Sequence, residues 1–159
     1  KDDSVRVPEA LNEAIREISA LASMGTGVDG VRLDLELADG SPPVPIDWVQ
    51  IQQVIANLMR NATESMKESP RRVLSISSRQ KSERELVVAI SDTGPGMSAD
   101  ALDKLFEPFH SSKPGGMGIG LTISKKIIES HGGRLWVAPN SDGGAIFPFS
   151  LPLEEESGV

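Results

Sequence analysis

The chain has 159 residues and a net charge of −7, with no cysteine, two histidines, two Trp, four Phe and no Tyr. That length suits one domain able to bury a core made mostly of Leu, Ile, Val and Ala. The acidic balance argues against a nucleic-acid partner, and the cysteine and histidine counts exclude disulfides and thiolate chemistry and argue against a structural zinc site. No apolar run nears the roughly 20 residues of a membrane span.

The opening Lys1-Asp2-Asp3 is no signal peptide and reads as a cut made in a longer protein. Pro8 suits the first residue of a helix, where its missing N–H costs nothing. Leu11, Ile15, Ile18 and Ala22 follow at helical spacing, and Gly25 and Gly27 end that run. Val31, Leu33, Leu35 and Leu37 alternate with Arg32, Asp34 and Glu36, which predicts a strand with one buried face. Ser41-Pro42-Pro43-Val44-Pro45 predicts a stiff connector. A long helix is expected from about Asp47, its N-cap, to Lys67, with Ile51, Val54, Ile55, Leu58 and Ala62 inward. Val73 to Arg79 and Leu86 to Ser91 predict a hairpin across the charged turn 81–84. Ser98 is placed to cap a short helix carrying Leu102 and Leu105, and the Gly-, Pro- and Ser-rich run from Phe106 to Met117 predicts a mobile loop.

Leu121 to Ser130 predicts a helix with Gly132 as its stop, and His131 as a C-terminal capping residue. Leu135 to Val137 and Ala145 to Leu151 predict strands joined through Asn140-Ser141-Asp142-Gly143-Gly144. Pro148 removes a ladder donor, which puts the last strand at an edge or a bulge. Together these elements predict an α/β (α+β) two-layer sandwich: a mixed, mostly antiparallel five-stranded sheet covered on one face by three helices. The folded domain is expected over residues 1–152, with 153–159 as a disordered acidic tail.

Three motifs carry chemistry. Asn57 and Asn61 are four apart on one helix, so their side chains share a face. Alone, such a pair bonds a neighbouring loop; alternatively its amide oxygens suit Mg²⁺, a hard cation. Asp92 enters Gly94-Pro95-Gly96. It is a turn former, or an acceptor-only carboxylate for the exocyclic amine of adenine, with glycines that let the backbone approach the base. Gly116, Gly118 and Gly120 lead into the helix expected near Leu121. They form a linker, or free amides and a positive dipole end offered to phosphate. No Gly-Lys-Ser/Thr follows, so this is no P-loop, and no strand directly precedes it, so it is no Rossmann fingerprint. Lys113 lies in the loop between the glycine motifs.

These residues resemble the nucleotide-binding domain of sensor histidine kinases, in the GHKL superfamily shared with type II topoisomerases, heat-shock chaperones and mismatch-repair ATPases. Gln53 through Met66 resembles the N box, Asp92 through Gly96 the first glycine box, Phe106-Glu107-Pro108-Phe109 the F box and Gly116 through Leu121 the second glycine box. Gly143-Gly144-Ala145 resembles the last glycine turn, and the likeness runs from about Val5 to Pro152. Its flavour is the nitrogen-regulation and oxygen-sensing type of kinase. The resemblance implies the Bergerat ATP-binding fold, ATP and Mg²⁺ as cofactors, and a cytoplasmic domain that touches neither nucleic acid nor membrane. It implies Asn61, helped by Asn57, on the metal; Asp92, Gly94 and Gly96 around adenine; and Gly116, Gly118, Ile119, Gly120 and Leu121 around the phosphates.

In the hydrolysing relatives a glutamate one turn before the metal-binding Asn activates water. Asn57 stands there and is no general base, which favours phosphoryl transfer over hydrolysis. Many histidine kinases carry a basic residue where this chain has Glu64, so a phosphate contact passes to Arg60 or Lys113. Neither His110 nor His131 has the context of a phosphoacceptor. The implied partners are therefore a separate dimerisation and histidine-phosphotransfer domain and a response regulator receiver domain. The alternatives are a self-sufficient ATPase module and a non-catalytic nucleotide-sensing domain.

Overall fold

The computed structural model describes residues 5–25, 30–98, 100–101, 117–140 and 143–153. Among these, three helices, α1 (Leu11–Gly25), α2 (Trp48–Ser65) and α3 (Met117–Ser130), accompany eight strands. The strands are β1 (Val7–Glu9), β2 (Arg32–Leu37), β3 (Val44–Ile46), β4 (Val73–Ser82), β5 (Glu85–Ser91), β6 (Arg134–Leu135), β7 (Ala138–Pro139) and β8 (Ala145–Pro152). The main sheet runs β2-β4-β5-β8-β6, with β7 also on β8. Only β2 and β4 pair in parallel; the other neighbours are antiparallel. The core lies between helices and sheet, where Ile51, Ile55 and Leu58 of α2 meet Ile76, Ile90 and Phe149. Each such fully buried side chain contributes roughly 1.5–3 kcal/mol.

Four expectations change. Pro8 starts no helix: it lies in β1, and α1 opens at Leu11. The proline-rich connector is partly a strand, since β3 is wholly buried and pairs with β1. Pro8 faces Pro45 there, at a pair where an antiparallel ladder needs no N–H donor. The alternating strand β2 buries no residue fully, because it is an edge strand, and Leu35 stays 39% exposed.

The last strand is the fourth correction. β8 is interior, flanked by β5 on one side and β6 and β7 on the other. The outer ladder pairs Leu135 with Phe149, then resumes at Ala138 and Ile146. The gap faces Pro148: the Trp136 N–H donates to the Pro148 carbonyl at 3.1 Å, and Pro148 has no N–H to return. The proline thus splits the fifth strand in two, which makes the sheet six-stranded rather than five-stranded.

Capping signals fix the helix ends that frame the site. Asp47 accepts the Gln50 N–H at 3.1 Å as the N-cap of α2. Gly132, at φ +84°, closes α3 in a Schellman turn, with Gly132 N–H on the Glu129 carbonyl and Gly133 N–H on that of Ile128. His131 is buried between the two helices. Its Nε2 accepts the Asp47 N–H at 3.0 Å, so Nδ1 carries the proton and donates to the Ile127 carbonyl at 2.8 Å. The expected cap is therefore also a bolt between the end of α3 and the start of α2.

Candidate functional site

Helix α2 turns Asn57 toward α3. The Asn57 Nδ2 donates to Oγ of Ser124 at 3.3 Å, and its Oδ1 accepts from Nη2 of Arg60 at 2.8 Å. A Cβ added to Gly120 would stand 3.9 Å from the Asn57 Cγ, so the start of α3 lies directly against this amide. Asn61, one turn on, is only 7% exposed, yet its Nδ2 finds no hydrogen-bond partner among the described residues. Leaving such a group unpaired costs roughly 1–3 kcal/mol. Rotating the amide by half a turn would put its oxygen in the same place. The two asparagines thus differ: Asn57 is committed within the protein and Asn61 is not.

Asp92 follows the last residue of β5 and is 2% exposed. Its N–H donates to the Ala145 carbonyl at 3.1 Å, and its Oδ1 accepts the Gly94 N–H at 2.9 Å. Burial pushes its pKa above the ordinary carboxylate value; the backbone hydrogen bonds with Gly94 and Ala145 oppose that shift. Two glycines make room for this arrangement. Gly144, at φ +85°, passes so close that a Cβ would stand 2.1 Å from the Asp92 carbonyl oxygen and 2.6 Å from Oδ1. A Cβ on Gly94 would lie 2.6 Å from Oγ of Ser65. Gly96 follows at φ +79°.

Helix α3 begins earlier than its sequence suggests, at Met117, so Gly118, Ile119 and Gly120 lie in its first turn rather than before it. The first four N–H groups of a helix have no internal acceptor, and the dipole adds positive potential there. Leu121, the fifth residue of the helix, is wholly buried. Lys113 and Gly116 lie outside the described residues, as do Phe106, Phe109 and His110.

Two contributors were not singled out in the sequence. Asn140 donates from Nδ2 to the Asp92 carbonyl at 3.1 Å across 48 residues; its only local signal is its place before a Gly-Gly turn. Thr93 donates its N–H to Sδ of Met66 at 3.3 Å; its position between Asp92 and Gly94 was the available hint. Glu64 is exposed on α2, beside an open cleft of about 680 Å³ shared with Ser65, Thr93 and Gly94. Asp92 supplies a hydrogen-bond acceptor, Asn61 an amide whose Nδ2 has no partner among the described residues, and the α3 start the N–H groups of a helix terminus.

The sequence pattern of the family described as "Histidine kinase-, DNA gyrase B-, and HSP90-like ATPase" matches residues 46–155. The chain is 42% identical over 157 residues to the sensor protein FixL of Bradyrhizobium diazoefficiens, covering 99% of this chain and 31% of FixL. It therefore spans about a third of that relative's length. The catalytic domain of histidine kinase ThkA, nucleotide-free, superposes with a TM-score of 0.82 at 30% identity, covering 93% of this chain and 95% of that one. ThkA in complex with the response regulator protein TrrA aligns with a TM-score of 0.80 at 29% identity, covering 96% of this chain and 43% of that one. Among the described residues no helix is long and apolar enough to cross a membrane.

Proposed function

The chain belongs to the family of histidine kinase-, DNA gyrase B- and HSP90-like ATPases, and we propose that it is the catalytic ATP-binding domain of a sensor histidine kinase. It binds Mg²⁺-ATP and passes the γ-phosphate to a histidine on a separate dimerisation domain, from which a response regulator receives it. The domain works on the cytoplasmic side, where ATP is available.

The observation that carries transfer over hydrolysis is the Asn57 amide. Both its ends are bonded, to Ser124 and Arg60, and an amide takes no proton from water at neutral pH. The orphaned Asn61 amide fits a hard cation: its oxygen can complete a coordination shell made mostly of phosphate and water oxygens. Bound there, Mg²⁺ would neutralise charge on the β- and γ-phosphates. The Asn57 oxygen keeps a second lone pair beside its bond from Arg60 and can join it, and the Arg60 guanidinium next to it is placed to face the polyphosphate. The first-turn amides of Gly118, Ile119 and Gly120 hold phosphate oxygens, with Gly116 before them. Lys113 supplies a γ-phosphate contact from the loop. At the other end Asp92, anchored through Oδ1, offers its carboxylate to the adenine amine; guanine presents a carbonyl there and is repelled. Gly94 and Gly96 keep side chains away from the base.

Mixing the chain with the helical acceptor domain and ATP should yield acid-labile phosphohistidine on that domain. Rapid multiple-turnover ATP hydrolysis by the chain alone would overturn the transfer reading.

A further inference from the structure

We infer that Thr93 is a positioning residue for base recognition, which holds Asp92 in its adenine-reading orientation by latching it to the connection between α2 and β4. The inference rests on the role proposed for Asp92. That carboxylate is oriented by the Gly94 N–H, and Thr93 is the single residue between the two. The path of the chain through Thr93 therefore sets where the carboxylate points.

Thr93 is tied down three ways. Its N–H donates to Sδ of Met66 at 3.3 Å. Its hydroxyl donates to the Arg71 carbonyl at 2.8 Å and accepts the Val73 N–H at 3.0 Å. A hydroxyl has one proton, so its 3.4 Å approach to the Met66 sulfur is packing. Met66 is fully buried and caps α2, with its own N–H on the Ala62 carbonyl. Val73 is the first residue of β4. The helix that carries Asn57 and Asn61 is thereby fastened, at its far end, to the strand end that carries Asp92. With its proton donated and a lone pair occupied, the hydroxyl acts on the base through Asp92.

Thr93→Val keeps the side-chain shape and removes the hydroxyl, whereas Thr93→Ser keeps the hydroxyl. Binding of ATP and GTP to the 159-residue chain is measured by calorimetry, with the melting temperature of each variant and Asp92→Asn in parallel. Thr93→Val should weaken ATP about tenfold, on the scale of a lost hydrogen bond, and leave GTP unchanged, while Thr93→Ser stays within about twofold of wild type. Equal weakening of both nucleotides would mean a purely structural role and overturn the inference. Wild-type base preference in Thr93→Val, beside a defective Asp92→Asn, would overturn the latch and leave Asp92 standing. Wild-type preference in Asp92→Asn would overturn the reading of Asp92 and the latch with it. If Thr93→Val does not fold, Met66→Leu removes the sulfur acceptor in similar volume; it should lower the ATP preference several-fold, and an unaltered preference would again overturn the latch.

Discussion

Asn61→Leu is expected to stabilise the nucleotide-free domain while abolishing its Mg²⁺-dependent binding of ATP. The wild-type amide is 7% exposed and its Nδ2 has no partner among the described residues, a cost of roughly 1–3 kcal/mol. Leucine has the same branching without polar atoms and gains about 0.5 kcal/mol in helix propensity. Its bulkier methyl groups take back part of this, about 1 kcal/mol, as they crowd the site. The net gain of about 0.5–2.5 kcal/mol raises Tm by roughly 1–10 °C for a domain of this size. Scanning calorimetry with and without Mg²⁺-ATP reads both effects. Wild type should gain about 2.7 kcal/mol when ligand is at a hundred times its Kd, and the variant nothing. An unchanged or lowered Tm without nucleotide would show that the amide has a partner in the native protein. A retained Mg²⁺-ATP shift would remove Asn61 from the metal.

Burial raises the pKa of Asp92 above the 3.8 of an ordinary aspartate. The folded state therefore holds this proton more tightly than the unfolded chain, and the group's contribution to stability, full below pH 3.8, is lost as pH rises through the raised value. Nucleotide affinity runs the other way: it should fall as pH drops through that value, because a protonated carboxyl loses acceptor strength, and titration calorimetry of the wild-type chain between pH 7 and 4 would reveal a flat profile if Asp92 is not the acceptor. Gly144→Ala combines an unfavourable φ of +85° with a Cβ 2.1 Å from the Asp92 carbonyl oxygen, so it should cost at least about 2 kcal/mol and weaken ATP binding. Gly40→Ala, at φ +72° with nothing within 4 Å, is the control that carries the backbone cost alone; equal melting temperatures for the two would refute the crowding argument.

Much of the helical frame was readable locally. The spacing of Ile51, Val54, Ile55 and Leu58 gave α2 its buried face, Asp47 its start and Gly132 the end of α3. Each of these signals acts within one helical turn, so no tertiary context was needed. The misreadings at Pro8, Pro45 and Pro148 share one cause. A proline reports only a missing N–H and a fixed φ, and whether that suits a helix start, a non-hydrogen-bonded pair or an interior strand depends on what lies opposite. Likewise Gly118 and Gly120 read as a loop by propensity, whereas α3 extends back through both.

By itself the sequence determined the order of the motifs and the chemistry of each group: two amides on one helix face, a carboxylate at a strand end, glycines at a helix start. Only the tertiary structure decided which of those groups are already spent. It bonded Asn57 to Ser124 and Arg60 and left the Asn61 Nδ2 without a partner among the described residues. It brought Asn140 and Gly144 onto Asp92, and Met66 onto Thr93. The reason is physical: capping and periodicity act over a few residues, whereas a hydrogen bond between segments 27, 48 or 84 residues apart exists only once the sheet order has set the segments side by side.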